Sequence, residues 1–336
     1  MNKKRNIVTI AGWIFVVCLI IFSFINKAEK PPATAELYAM DTIVNIKIYG
    51  DNKETILKEV IKKIEEINSY VDSFSPNSDI YKINKNSGIK NVTVHPETVA
   101  IIEKAMELAH NTNGAFNPLI TPLSQIWGFR DKNYRIPSEE EIKDALNLTN
   151  YNDIVISKNT VFLKKEGEAL DLGGIAKGYT LDCLKEILDK MDGERALINN
   201  GGNILLYGTP PGKQWKIGIK NPREDGIIGT LNIEGTKFIS TSGDYERFFT
   251  KDNKRYCHLI NPFNGYPADK IFSVTVVSDK GYYGDALSTA FFIIGKNEAL
   301  QDVKKFDVDI VVIDSDLNVF CGEELKDSLI LENGKG

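Results

Sequence analysis

Apolar positions along the chain follow three rhythms, and each rhythm predicts an element. From Thr42 to Tyr49 they alternate, Val44, Ile46 and Ile48 against Asn45 and Lys47, as in a half-buried strand. After Gly50, Leu57, Val60, Ile61, Ile64, Ile67 and Val71 recur at helical spacing over about five turns, with lysines and glutamates on the wet face. A second helix runs from Pro96 to the stop at Gly114, turning Ile101, Ile102, Ala105, Leu108 and Ala109 inward. Ser138 followed by Glu141 is a capping-box pattern for a short third helix. Strand signals follow at Asp153 to Ser157, Val161 to Leu163, Ala196 to Asn199, Trp215 to Ile219, Ser273 to Ser278 and Val308 to Ile313, with helices near Ile175 to Met191 and Asp285 to Ile294. Strands and helices mixed in this order predict an α+β fold, sheets packed with helices. No internal repeat or interior linker divides it, so one composite domain is expected.

The third rhythm is unbroken. Ile7 to Ile25 is a run of 19 uncharged residues, of which Thr9, Gly12 and Ser23 alone fall outside the hydrophobic set. At about 1.5 Å per residue it spans about 28 Å as a helix, close to a bilayer core. Charge gives this run a direction. The chain has 336 residues, 41 basic and 46 acidic, for a net charge of −5. Residues 1–30 hold five basic residues and one acidic, net +4, which leaves 36 basic and 45 acidic beyond, net −9. Basic residues stay on the cytoplasmic side, so residues 1–6 form a cytoplasmic segment, 7–25 a transmembrane anchor or signal, 26–36 a linker stiffened by Pro31-Pro32, and 37–331 the folded domain outside. The expected location is the cell membrane, single pass, with the domain on the extracytoplasmic face. A cleaved signal core is shorter and ends in small residues, so the uncleaved anchor is preferred to a cleaved or lipidated form. The acidic balance argues against a nucleic-acid partner. Cys183, Cys257 and Cys321 form no zinc-type spacing or CxxC and read as free structural thiols.

Four stretches dense in Gly, Asn, Asp and Thr carry the candidate chemistry. In Ala169-Leu-Asp-Leu-Gly-Gly-Ile-Ala-Lys-Gly178 an aspartate ends a strand and Lys177 opens a helix, whose free N–H groups suit a phosphate; an ordinary Gly-Gly turn explains the segment equally well. In Asp285-Ala-Leu-Ser-Thr289 the i, i+4 pair Asp285 and Thr289 shares a helix face. A carboxylate and a hydroxyl suit Mg²⁺ completed by phosphate oxygens and water, although an N-cap Asp with a back-bonded Thr is the simpler reading of the pair alone. His258 lies in the third stretch, Ser240 to Arg247 and Arg255 to Pro267, between a β-rich arm and a proline turn, whereas His95 and His110 sit at helix ends. The fourth, Gly114 to Leu123 with Trp127 and Phe129 beyond, offers aromatic residues for the core or for stacking on a flat ligand.

Taken in order, Met40-Asp-Thr42, Gly114-Ala-Phe-Asn-Pro118, Asp171-Leu-Gly-Gly-Ile-Ala-Lys-Gly178, Asn200-Gly-Gly-Asn203, Thr241-Ser-Gly-Asp-Tyr245, His258-Leu-Ile-Asn-Pro262 and Asp285-Ala-Leu-Ser-Thr289 resemble the FAD:protein FMN transferases, the ApbE family, over residues 36–325. The resemblance implies an enzyme, with FAD as substrate and Mg²⁺ as cofactor. It would split the FAD pyrophosphate, release AMP and leave FMN esterified to a threonine of an extracytoplasmic acceptor protein carrying a Ser/Thr-Gly-Ala-Thr type of motif. By similarity Asp285 and Thr289 hold the metal with a main-chain oxygen of Gly174, and Ser288 lies beside them. Met40, Phe74, Ala115, Phe116, Asn117, Asp171, Lys177 and Leu259 line the FAD site, and His258 is the candidate base. Met-Asp-Thr stands where Met-Gly-Thr is usual, Asn117 and Asn261 replace aspartates, and Phe74 stands where a tyrosine can occur. Two other readings stay open: an FAD pyrophosphatase giving FMN and AMP, and a surface-tethered, non-catalytic FAD-binding protein.

Overall fold

The structure is a computed structural model in which residues 30–332 are described. The cytoplasmic segment and the apolar run expected at 7–25 lie outside the described residues. Among the described residues no helix is long and apolar enough to cross a membrane.

The chain opens with β1 (Ala33–Ala39), β2 (Thr42–Tyr49), α1 (Lys53–Val71), α2 (Asp79–Lys85), β3 (Val92–Thr93), α3 (Pro96–Asn111), α4 (Thr121–Ile126) and α5 (Glu139–Leu146). After β4 (Ile154–Ser157) and β5 (Thr160–Leu163) comes α6 (Ala176–Lys190). A β-rich stretch follows, with β6 (Arg195–Asn200), β7 (Asn203–Tyr207), β8 (Trp215–Lys220), β9 (Ile227–Ile233), β10 (Lys237–Gly243), β11 (Phe248–Lys251), β12 (Lys254–Cys257) and β13 (Ile271–Ser278). The chain then runs through α7 (Gly281–Ile294), α8 (Lys296–Phe306), β14 (Asp309–Asp314), β15 (Val319–Cys321) and β16 (Leu329–Leu331).

The main sheet has eight strands in the order β1-β2-β6-β7-β10-β13-β14-β15, each antiparallel to its neighbours. Because side chains alternate across a strand, one face buries Val44, Ile46, Ile198, Leu205 and Phe238 against α1 and α6, and continues through Val274 and Val276 to α7. The other face buries Leu206, Ile239, Val277, Val311 and Ile313 against Trp215, Ile217 and Leu231 of a three-stranded sheet, β16-β9-β8. The result is three layers, helices on sheet on sheet, the α+β class that the mixed pattern predicts. Ser138 closes the expected capping box on α5. Trp127, Phe116 and Phe129 are buried, so these aromatics belong to the core.

Three expectations shift. β1 begins at Ala33 and pairs with β2 from Ala33↔Ile48 to Ala39↔Thr42, so the folded domain starts inside the 26–36 segment read as linker. Small residues (Ala33, Thr34, Ala35) gave that strand almost no hydrophobic signal. Asp171 ends no strand: β5 stops at Leu163, and Asp171 is held instead by its N–H donating to the Pro118 carbonyl at 2.8 Å. α7 starts at Gly281, a full turn before Asp285.

Candidate active site

α6 and α7 cross where two glycines touch. A Cβ on Gly178 would lie 2.2 Å from the Gly281 carbonyl oxygen and 2.7 Å from Asp285 Cβ. Only a bare backbone on both helices allows this approach. The approach brings Asp285, one turn into α7, against the first turn of α6. Its Oδ2 accepts from the Gly178 N–H at 2.9 Å, and its Oδ1 lies 3.9 Å from Lys177 Nζ. Asp285 is therefore not the N-cap of its helix. That role belongs to Asp182 of α6, whose carboxylate accepts from the N–H groups of Gly281 and Tyr282 at 2.7 and 2.8 Å.

Asp285 is 4% exposed, and burial raises its pKa, opposed by the charge of Lys177 and the bond from Gly178. The Asn203 side chain also hydrogen-bonds the carboxyl. Asn203 Oδ1, buried on β7, has no partner among the described residues. Thr289 stands one turn further along α7, where a Cβ on Gly174 would sit 3.4 Å from its Oγ1 and 3.2 Å from Phe116 Cε2. Gly174, Phe116, Thr289, Asp285 and Lys177 thus converge on the start of α6. Thr289 does not turn back to its helix. Its Oγ1 lies 3.4 Å from Ser242 Oγ of β10, which also bonds Ser288 Oγ at 2.8 Å. Ser288 donates to the Asp285 carbonyl at 2.8 Å and is buried, so its hydroxyl braces the turn that carries Asp285.

The loop before α6 closes on itself. Asp171 Oδ1 accepts from the Gly173 N–H at 2.7 Å, and Lys177 Nζ donates to the Gly173 carbonyl. Met40 and Asp41 form the two-residue turn between β1 and β2, at φ 53° and 58°. Aspartate tolerates this left-handed backbone, though glycine does so without strain, which is the physical content of Asp41 standing where glycine is usual. Met40 is pinned by its N–H to Asn68 Oδ1 at 2.7 Å and by Thr180 and Asn200 against its sulfur.

His258 follows β12. Its N–H donates to the Arg247 carbonyl at 3.0 Å, and its Nδ1 lies 3.2 Å from the same oxygen. A carbonyl only accepts, so Nδ1 carries the proton and Nε2 is the free acceptor. The ring is half-buried but closely surrounded by protein atoms. Desolvation first, then the charges of Arg247 and Lys177, push its pKa down to about 3. It is neutral at pH 7, and Lys177 is near enough to act on it.

The remaining expected residues stand differently. Ala115 and Leu259 are buried in the main core. Asn117 spends its amide on structure, Nδ2 to the Thr149 carbonyl at 2.8 Å and Oδ1 from the Leu119 N–H at 2.9 Å. Phe74 is 61% exposed, with the Arg130 guanidinium 4.6 Å from its ring centre. Sequence reasoning passed over Ser242, Asn203 and Asp182. Ser242 and Asn203 sit inside quoted motifs, so their polarity in a strand was the available signal; Asp182 lies on an ordinary amphipathic helix and gave none.

No group of three or more His, Cys, Asp and Glu close enough to hold a metal occurs among the described residues. The oxygen set around Asp285 is nonetheless suited to a hard cation. It joins one buried carboxylate, the Thr289 hydroxyl and the Gly174 main chain, with an unpartnered amide oxygen at Asn203 beside them. So few protein ligands suit Mg²⁺, which keeps waters and takes substrate phosphates.

The α+β fold thus sets a lysine and a buried acid–hydroxyl pair at the glycine-lined start of α6. Comparison with known proteins gives the protein a family: the ApbE family model matches residues 40–312, and the chain belongs to that family. A protein of Klebsiella pneumoniae named FAD:protein FMN transferase is 32% identical over 280 residues, covering 82% of this chain and 86% of its own. One of the same name from Treponema pallidum is 29% identical over 294 residues, covering 81% of each. The crystal structure of the ApbE protein of Thermotoga maritima superposes with a TM-score of 0.82 at 32% identity, over 88% of this chain and 99% of that one. The flavin transferase ApbE of Vibrio cholerae gives 0.78 at 25% identity, over 89% of this chain and 100% of that one.

Proposed function

We propose that this chain is an FAD:protein FMN transferase, using Mg²⁺ and moving FMN from FAD to a threonine hydroxyl of a protein outside the cytoplasmic membrane, with AMP as the leaving product. The observation that carries this reading is Asp285, a buried carboxylate facing Lys177 and Thr289 at the glycine-lined start of α6, in a chain whose curated relatives bear that name. Asp285, Thr289 and the Gly174 carbonyl would hold the Mg²⁺. Bound there, it supplies positive charge for a phosphoryl group under attack.

The protein's own groups do the rest. Lys177 favours a pyrophosphate in a chain that is acidic overall, while the first N–H groups of α6 are spent on Leu172 and Asp285. Asp171 and Lys177 hold the Gly173 turn in shape, and Phe116 packs against Gly174. His258 Nε2 accepts the proton of the acceptor threonine as its Oγ bonds the FMN phosphorus and the bond from that phosphorus to the AMP oxygen breaks. Ser242, Ser288 and Asn203 orient the α7 ligands. The apolar run at 7–25 and the basic residues before it support a membrane tether with this domain outside.

The test incubates the chain with FAD, Mg²⁺ and membrane or secreted proteins, and looks for flavin fluorescence in denaturing gels. A labelled protein band supports transfer. FMN and AMP without a labelled band would make the chain a pyrophosphatase, and intact bound FAD a binding protein.

A further inference from the structure

Beside α2 and α4 lies a cavity of about 340 Å³ whose lining includes Ser73, Tyr81, Lys85, Thr121, Gln125 and Arg130. Neither Lys85 nor Arg130 is ion-paired among the described residues. Arg130 donates to Ser73 Oγ at 3.2 Å and otherwise rests over Phe74. Thr121 is 3% exposed, and its hydroxyl has no hydrogen-bond partner among the described residues. A buried hydroxyl left unpaired is costly, and each such group calls for a missing partner.

Glu168 is the one acidic residue lining the cavity; it is fully buried, burial and the neighbouring Asp153 raise its pKa, and its Oε1 has no hydrogen-bond partner among the described residues. Oε2 accepts from the Lys165 N–H at 3.0 Å, Asp153 hydrogen-bonds the carboxyl, and Lys165 Nζ lies 2.8 Å from Asp153 Oδ2, with Lys164 alongside. Two cations without an ion pair and an unpartnered buried hydroxyl therefore line one cavity, beside the buried Glu168 carboxyl.

We propose that this cavity binds a small oxyanion, inorganic phosphate or a phosphate monoester, held by Lys85 and Arg130 with the Thr121 hydroxyl donating to it. Phosphate oxygens take charge-assisted bonds from a guanidinium fork and an ammonium, and a threonine hydroxyl completes the set. The cavity lies outside the residues that resemble the family's FAD site, and meets them only where Arg130 covers Phe74. An anion there would fix the guanidinium over that ring.

Binding to the full chain is measured by calorimetry without Mg²⁺, once with inorganic phosphate and once with AMP. Saturable binding is expected, weakened about tenfold by Lys85→Gln, since a hydrogen bond to a charged group is worth that much. Thr121→Val, nearly isosteric, should weaken it severalfold, and Lys177→Gln should leave it intact. Tighter binding of AMP identifies a mononucleotide as the occupant, and equal binding a free phosphate. The proposal is overturned if neither anion saturates, or if Lys177→Gln abolishes binding while Lys85→Gln does not, which would place the anion at the α6 start.

Discussion

Replacing Gly178 with alanine tests whether the helix crossing builds the site. In an open helix this change stabilises by about 1 kcal/mol. Here the new methyl would lie 2.2 Å from the Gly281 carbonyl oxygen and 2.7 Å from Asp285 Cβ. Backbone cannot swing aside, so α6 and α7 must separate by about an ångström, and overpacking of this kind costs ~1–3 kcal/mol or more. Separation also stretches the 2.9 Å bond from the Gly178 N–H to Asp285, and hydrogen bonds to charged groups are worth ~1.5–3 kcal/mol. The sum, after the helical gain, is a loss of roughly 1.5–5 kcal/mol, or a fall in Tm of roughly 2–8 °C for a domain of this size. Thermal unfolding followed by circular dichroism reads the stability, and AMP release against Mg²⁺ concentration reads the site. A variant as stable as the parent with the same Mg²⁺ response would refute the idea that the contact positions Asp285.

Three further outcomes follow from the same geometry. His258→Ala should lower transfer by roughly 10²–10⁴-fold while FAD binding, read by fluorescence quenching, holds; equal losses in both would make the residue structural. With the folded His258 pKa near 3 and the unfolded value near 6.5, the native state binds fewer protons between these limits. Its stability contribution is then present above about pH 6.5 and lost as pH falls toward 3, and the rate should show no ascending limb near pH 6.5 that His258→Gln removes. Burial raises Asp182 to about 6, the opposite sign. Stability from this group is present below about pH 4 and lost as pH rises through 6, and denaturant titrations of Asp182→Asn should show that slope flattened. Ser242→Ala removes the partner of Ser288 and Thr289 and should reduce transfer about five- to tenfold by ~1 kcal/mol, a change that added Mg²⁺ partly restores.

Elements with strong periodicity were legible: β2 occupies Thr42–Tyr49 as the alternation predicts, and α5 begins at the Ser138 capping box. β1 was not, because alanines carry its buried positions and its pairing with β2 supplies what its hydrophobicity lacks. Asp171 looked like a strand end because Ala169-Leu-Asp-Leu alternates, but no neighbouring strand pairs with it there. In the candidate site, the i, i+4 spacing placed Asp285 and Thr289 on one face of α7 from sequence alone. What faced them could not be read, since Gly178, Ser242 and Asn203 reach the site from three different elements. Asp182 shows why the simple N-cap reading of Asp285 fails: the cap comes from the neighbouring helix, over a separation of about a hundred residues.

The most direct test of the proposed activity counts AMP released against FMN attached to an acceptor protein, for the parent chain and for Asp285→Ala, with FAD and Mg²⁺ saturating. Equal amounts of the two products from the parent, and neither from the variant, are the expected result. Undiminished labelling by Asp285→Ala would contradict the assignment of the buried carboxylate, and AMP without attached FMN would contradict transfer itself.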